Sequence, residues 1–254
     1  MRQFGIIQVA SAPIRSTDSD RAEIVSQLLF GEAVEIIHVD TPWIKIKCEH
    51  DSYEGYMDRK QVIFLSEDEF NTWKTVPKTR LLSRTIQVAS SDGPEWIYQG
   101  SLIPSAYVNG FKLHHKTYTV LSTPFELTRH TSIVELAQSY LNTPYLWGGR
   151  SITGIDCSGY TQIVYAMYHF SLPRDASQQA LVGKEIPFQD AQAGDLAFFH
   201  NSKKSIIHVG ILTGMGSILH ASGKVREDVL DEKGIFRKDF NDYTHQLTYI
   251  RRYI

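Results

Sequence analysis

Hydrophobic periodicity switches once along this chain, near Pro124, and that switch constrains the fold more than any other feature. Before it, short β-type runs alternate with turn residues, at 6–9, 33–37, 43–47 and 55–57, then at 85–89, 96–99, 110–113 and 118–121. Strands this short, with breakers about every 8–12 residues, predict small all-β barrels. Both sets open on the same phrase, Gln8-Val9-Ala10-Ser11 and Gln87-Val88-Ala89-Ser90, which reads as a duplicated barrel. The polar, acidic stretch 66–73 between them predicts a short connecting helix. The plan is one barrel over residues 1–67 and a second over 76–124.

After Pro124 the spacing turns helical. Ser132 and Glu135 stand at the capping-box interval, where each satisfies a free amide of the first turn. Ile133, Leu136, Ala137, Tyr140 and Leu141 then fall on one helical face. A second helix is predicted over 157–170, with Tyr160, Ile163, Val164, Met167 and Phe170 as its buried stripe. Strands follow at 195–200, 207–212, 217–221 and 247–251. Helices followed by an antiparallel sheet make an α+β domain, placed over 128–254.

Charge narrows the partners. The net charge of −2 gives no bulk attraction to nucleic acid or an anionic membrane, so neither is expected. No apolar run approaches the ~18 residues of a membrane span. The opening residues lack the apolar core, about 7–15 residues long, of a secretory signal, so a cytoplasmic location is expected. Two cysteines, Cys48 and Cys157, are too few for a disulfide scaffold, and Cys48 reads as a small buried hydrophobe.

Cys157 reads differently. The glycines and proline between Thr143 and Gly154 make a loop that ends where the second helix begins, so the thiol meets the positive end of a helix dipole. That setting favours thiolate, and the free amides there face an oxyanion forming on an attacked carbonyl. Locally, a nucleophile and a buried small residue stand at even odds. His208 and His220 change them. Gly214-Met215-Gly216 between the two histidines predicts a hairpin. A turn centred on residue 214 sets His208 opposite His220, and one centred on 215 makes them diagonal neighbours on one face. A loop of even length separates them to opposite faces. On one face, one imidazole takes the thiol proton while the other holds its tautomer, with a thiolate–imidazolium pair expected at rest. Zinc is the competing use of Cys, His and His, but the close ligand pairs of zinc sites are absent, so neither metal nor cofactor is expected. The other histidines, His245 among them, are read as surface or core residues.

Five motifs in order, Tyr145-x-Trp147-Gly148-Gly149, Asp156-Cys157-Ser158-Gly159, Gly194-Asp195-Leu196, His208-Val209-Gly210-Ile211 and His220-Ala221-Ser222, resemble the NlpC/P60 family of cysteine peptidases. The resemblance implies a papain-like catalytic domain, with Cys157, His208 and His220 as the triad. Gly31-Glu32, Trp43 and Gly55-Tyr56 make the preceding barrels similar to bacterial SH3 domains. Together they resemble γ-D-glutamyl-L-diamino acid endopeptidases, which cut murein peptides between D-Glu and meso-diaminopimelate or L-Lys. The likeness implies a tri- or tetrapeptide substrate with a free N-terminal L-Ala, and no obligate protein partner. It implies Asp156 as partner of that amine, with Ser158, Tyr145, Trp147 and Ser177 in the pocket. The first barrel is similar to one that donates a Glu and a Tyr, here Glu23 and Tyr53, with Tyr56 next to them in preference.

Plainer readings stand beside these. An Asp before a helix is most often an N-cap, which is the plain reading of Asp156; Tyr145 and Trp147 are equally core aromatics, and Ser177 a helix cap. The leading expectation is a murein-peptide recycling endopeptidase. The rivals are a secreted hydrolase of intact peptidoglycan and a non-catalytic wall-binding protein.

Overall fold

The computed structural model describes residues 2–105, 107, 109–122 and 132–253. The chain forms two compact units, Met1–Arg129 with Arg150–Ile152, and His130–Gly149 with Thr153–Ile254. The expected domain ends at 1, 124, 128 and 254 lie outside the described residues.

The first unit opens with seven strands, β1 (Gln3–Ile7), β2 (Ser11–Arg15), β3 (Ile24–Leu29), β4 (Ala33–Asp40), β5 (Trp43–Cys48), β6 (Glu54–Asp58) and β7 (Val62–Leu65). They form one antiparallel sheet in the order β3-β2-β6-β5-β4-β1-β7. Strict alternation in β5, with Ile44, Ile46 and Cys48 inward, builds one core with Ile14, Val34 and Met57. Helix α1 (Glu67–Thr75) follows, and Ser66 and Glu69 close both halves of a capping box.

Next come β8 (Lys78–Arg80), β9 (Thr85–Ser90), β10 (Gly93–Tyr98), β11 (Leu102–Pro104), β12 (Gly110–Leu113) and β13 (Lys116–Val120). Four of them form a sheet in the order β10-β9-β13-β12, and β11 pairs with β8. Phe4, Ile6, Phe30 and Trp73 share a second core with Ile86, Val88, Phe111 and Tyr118, so the two β segments are fused within one unit. Phe30 meets the rings of Phe111 and Tyr118 edge-on, at 5.9 and 5.2 Å. The two Gln-Val-Ala-Ser phrases are not equivalent, because residues 8–10 turn between β1 and β2 whereas 87–90 lie in β9. A short β14 (Arg150–Ser151) also groups with this unit. Its Arg150 is fully buried and donates to Glu32, which is also paired with Arg80. Burial pushes the Glu32 carboxyl up, but Arg150, His50 and Arg80 outweigh it and hold the group well below the usual range.

The second unit carries α2 (Ile133–Gln138), β15 (Gly154–Ile155), α3 (Cys157–Met167) and α4 (Ala176–Gln179). Its other strands are β16 (Lys184–Ile186), β17 (Leu196–His200), β18 (Ile206–Gly214), β19 (Ser217–Ser222), β20 (Lys224–Leu230), β21 (Gly234–Arg237) and β22 (Asp242–Arg252). The sheet runs β16-β22-β17-β18-β19-β20-β21, and β21 pairs back onto β22. The six strands from β17 to β22 therefore close into an antiparallel barrel, a closure the strand pattern of the sequence does not address. Two helices stop early. Asn142 and His169 adopt left-handed backbone conformations, φ 67° and 65°, shortly after α2 and α3 end. Helix α3 is buried along nearly its whole length and packs against β18 and β19, fixing its first residue against the barrel.

Candidate active site

The loop before α3 is built to present Cys157. Gly148 has φ 77°, a conformation costly for any residue with a Cβ. A Cβ on Gly149 would stand 2.4 Å from the Gly154 carbonyl oxygen. With both glycines the loop closes, and the amide of Asp156 reaches the Gly149 carbonyl at 3.2 Å. Asp156 caps α3, accepting from the Gly159 amide at 2.7 Å, and its other oxygen accepts from the Gly148 amide at 2.9 Å. Cys157 is thus the first helical residue, 7% exposed.

The N-cap reading of Asp156 is therefore right, and the carboxylate does more. Arg174, 2% exposed, grips it at 2.5 Å through Nη2 and 3.1 Å through Nη1, and also donates to Ser158 Oγ at 2.9 Å. Ser158 in turn donates to Asp156 at 3.3 Å. Asp156 is therefore one half of a buried ion pair beside the cysteine.

The other expected pocket residues are scattered in character. Tyr145 is half-buried, its phenol pushed up to about 12 by burial and by the nearby Cys157 and Asp156. Trp147 is 61% exposed, so it is no core aromatic. Ser177 lies exposed inside α4, one residue past the first, and Asp175 holds the cap position. Glu23 and Tyr53 belong to the first unit: Glu23 is exposed just ahead of β3, and Tyr53 packs half-buried on the core beside β6.

The hairpin of β18 and β19 brings the two histidines together. Gly210 stands opposite His220, a register centred on residue 215, so His208 is the diagonal neighbour. His208 Nε2 and His220 Nδ1 lie 2.8 Å apart, with the rings nearly perpendicular. The Val209 amide, next to His208, points at the Cys157 sulfur, as does that of Ser158. The thiol therefore lies against the backbone of the strand that carries His208.

Burial bears on the charge of both Cys157 and His208. Burial first, then the adjacent Asp156 charge, pushes the Cys157 thiol up to about 12, outweighing the two amides and Arg174. Burial also holds His208 well below the ordinary imidazole range, helped by His220 and His245. Both shifts lie in the direction of the neutral forms.

Three residues escaped the sequence. Arg174 is one. Asp228 is another, its Oδ2 2.9 Å from His220 Nε2. His245 is the third, its ring stacked on that of His208 at 4.2 Å. Among the described residues, one group has the spacing of metal ligands, Glu69, His114 and His115 in the first unit, largely exposed.

Residues 142–243 match the model of the NlpC/P60 family, and residues 14–62 that of the bacterial dipeptidyl-peptidase Sh3 domain. A gamma-D-glutamyl-L-lysine dipeptidyl-peptidase of Bacillus subtilis is 29% identical over 247 residues, 85% of this chain and 79% of its own. Dipeptidyl-peptidase 6 of Lysinibacillus sphaericus is 29% identical over 86% of this chain and 89% of its own. In fold, the chain is similar to an NlpC/P60 family protein from Bacillus cereus, with a TM-score of 0.80, 19% identity, and 98% and 99% of the two chains covered.

Proposed function

We propose that this chain, which belongs through its C-terminal unit to the NlpC/P60 family of cysteine peptidases, hydrolyses the γ-D-Glu–diamino acid bond of murein peptides with a free N-terminal L-Ala. The observation that carries the chemistry is the hydrogen-bonded His208–His220 pair beside a buried cysteine at a helix start. The bond is suggested by two relatives named as dipeptidyl-peptidases, aligned along most of the chain, one of them specific by name for γ-D-glutamyl-L-lysine.

His208 bonds its partner through Nε2, so Nδ1 is the nitrogen that serves the thiol. The thiol proton passes to Nδ1, and the sulfur attacks the γ-carbonyl. Amides at the start of α3 meet the oxyanion. The C–N bond breaks, and the imidazolium protonates the departing amine. Water, deprotonated by His208, then cleaves the thioester, releasing L-Ala-D-Glu and regenerating the thiol. Asp156, Ser158, Tyr145, Trp147 and Ser177 belong to this reading as pocket residues, and the charges of Asp156 and Arg174 give the pocket both signs.

A free L-Ala amine exists only on peptides already cut from muramic acid. Recycling of released fragments, in the cytoplasm, is therefore part of the proposal, and fractionation of cells tests the location. The deciding experiment incubates the protein with L-Ala-γ-D-Glu-meso-diaminopimelate and its L-Lys counterpart and weighs the products. Release of L-Ala-D-Glu is expected. Cleavage of intact peptidoglycan alone would identify a wall hydrolase, and binding without cleavage of either would identify a non-catalytic protein.

A further inference from the structure

We propose that Asp228 is a positioning residue, setting through His220 which nitrogen of His208 acts as the base. The inference rests on the reading of Cys157 and His208 as nucleophile and base. His220 is fully buried and bonded at both ring nitrogens, Nδ1 to His208 at 2.8 Å and Nε2 to Asp228 at 2.9 Å. An ionised carboxylate accepts and cannot donate. The His220 proton therefore sits on Nε2, and a lone pair is left on Nδ1. That lone pair can only accept, so His208 must carry its proton on Nε2. His208 Nδ1 is then left with the lone pair a general base needs.

The carboxylate is itself held in place. Asp228 has a side chain 6% exposed. Arg226, directly opposite His220 in the β19–β20 ladder, donates through Nη2 to Asp228 Oδ1 at 2.8 Å, and its Nε stands 2.7 Å from Oδ2. Ile218 faces Asp228 in the same ladder, which makes Asp228 the diagonal neighbour of His220. Three adjacent strands thus carry one line, β18 the base, β19 the relay and β20 the anchor. The Asp228 carboxyl stays ionised: burial pushes it up, but His220 and Arg226 hold it below the ordinary range. No proton needs to reach Asp228; its charge steadies the imidazolium that forms on His208.

The groups facing this line are Phe199 on β17, Arg226 on β20, Arg237 on β21 and His245 on β22, and Cys157 on α3 lies against the Val209 amide next to His208. None of the cationic ones can replace an acceptor. The two arginines oppose a charged His220, and His245, held neutral near 4 by burial, adds no negative charge.

The test needs no substrate, so its failure is separable from failure of the murein reading. Long-range ¹H–¹⁵N spectra of the labelled full chain report the histidine tautomers. Both His208 and His220 are expected with the proton on Nε2 in wild type, and His220 as a mixture in Asp228→Ala. In parallel, the pH dependence of Cys157 alkylation by iodoacetamide, mapped by peptide mass, is compared with Asp228→Asn. That isosteric variant keeps an acceptor and loses the charge. A lost neighbouring charge moves a pKa by about one unit or more. The alkylation plateau should therefore fall about tenfold, and its acid limb should move to lower pH, because the imidazolium is no longer steadied. A wild-type His220 proton on Nδ1 would overturn the proposal. So would an unchanged plateau and limb in Asp228→Asn, or a loss matched by the unfolded fraction with the limb unmoved.

Discussion

Asp156→Asn is the most informative single change in the second unit. Asparagine caps a helix about as well as aspartate, so the bond to the Gly159 amide survives. What is lost is the partner of Arg174. The guanidinium is 2% exposed, and two of its nitrogens bond this carboxylate. An amide nitrogen in place of one carboxylate oxygen would turn a donor towards Arg174 or towards the Gly148 amide. Removing one member of a buried pair costs about 3–5 kcal/mol, because the other charge stays buried. That is a large part of the roughly 5–15 kcal/mol that typically holds a domain together. The melting transition of the second unit should fall by on the order of 10–20 °C. Calorimetry on the full chain, with urea titration beside it, measures this. Arg174→Met added to Asp156→Asn should recover part of the loss, with a coupling of roughly 1–3 kcal/mol. Stability within about 0.5 kcal/mol of wild type in the single variant, or a double variant that is merely additive, would refute the argument.

Further outcomes follow from the same geometry. Cys157→Ala should silence turnover by several orders of magnitude with the melting temperature held, whereas Cys48→Ala should leave turnover of the folded protein unchanged; both are read by product mass and calorimetry. His208→Ala should nearly abolish activity, and His220→Asn should retain more than His220→Ala, since an amide can still orient His208; equal kcat in the two His220 variants would remove its orienting role. Stability should be greatest between about pH 6.5 and 9. Below that window unfolded His208, His220 and His245 protonate while the buried ones resist, and above it an unfolded thiol ionises while Cys157, near 12, does not. Melting temperature against pH checks this, and His208→Asn should make the acid side less steep. Free tripeptide should be cleaved far faster than its N-acetylated form, and equal rates would remove the recycling role.

What the sequence makes legible is whatever depends on local spacing. Strand β5 alternates strictly, the glycine loop ends on a capped helix at Cys157, and a turn about residue 215 lies between two short apolar strands. Each of these is decided within about a dozen residues. Helix ends were misjudged where one residue takes a left-handed conformation, as Asn142 and His169 do, since neither is a glycine that would advertise it.

The hidden part of the site is the part assembled across ladders. Arg226-Glu227-Asp228 reads as a charged, solvated run, and only the register of β20 against β19 turns its first and third members towards His220. His245 left a trace: the strand predicted at 247–251, extended back by one alternation, puts it on the face of Leu247. Arg174 left none, because nothing in sequence marks a cation as buried except the anion it will meet, 18 positions earlier. These residues share a physical reason for being there. Burial suppresses charge on both Cys157 and His208, so a reaction that must create charge there needs fixed ions close by. Asp156 and Arg174 lie beside Cys157, and Asp228 and Arg226 beside His220. Each pair is held internally, and so each keeps its orientation while the proton moves.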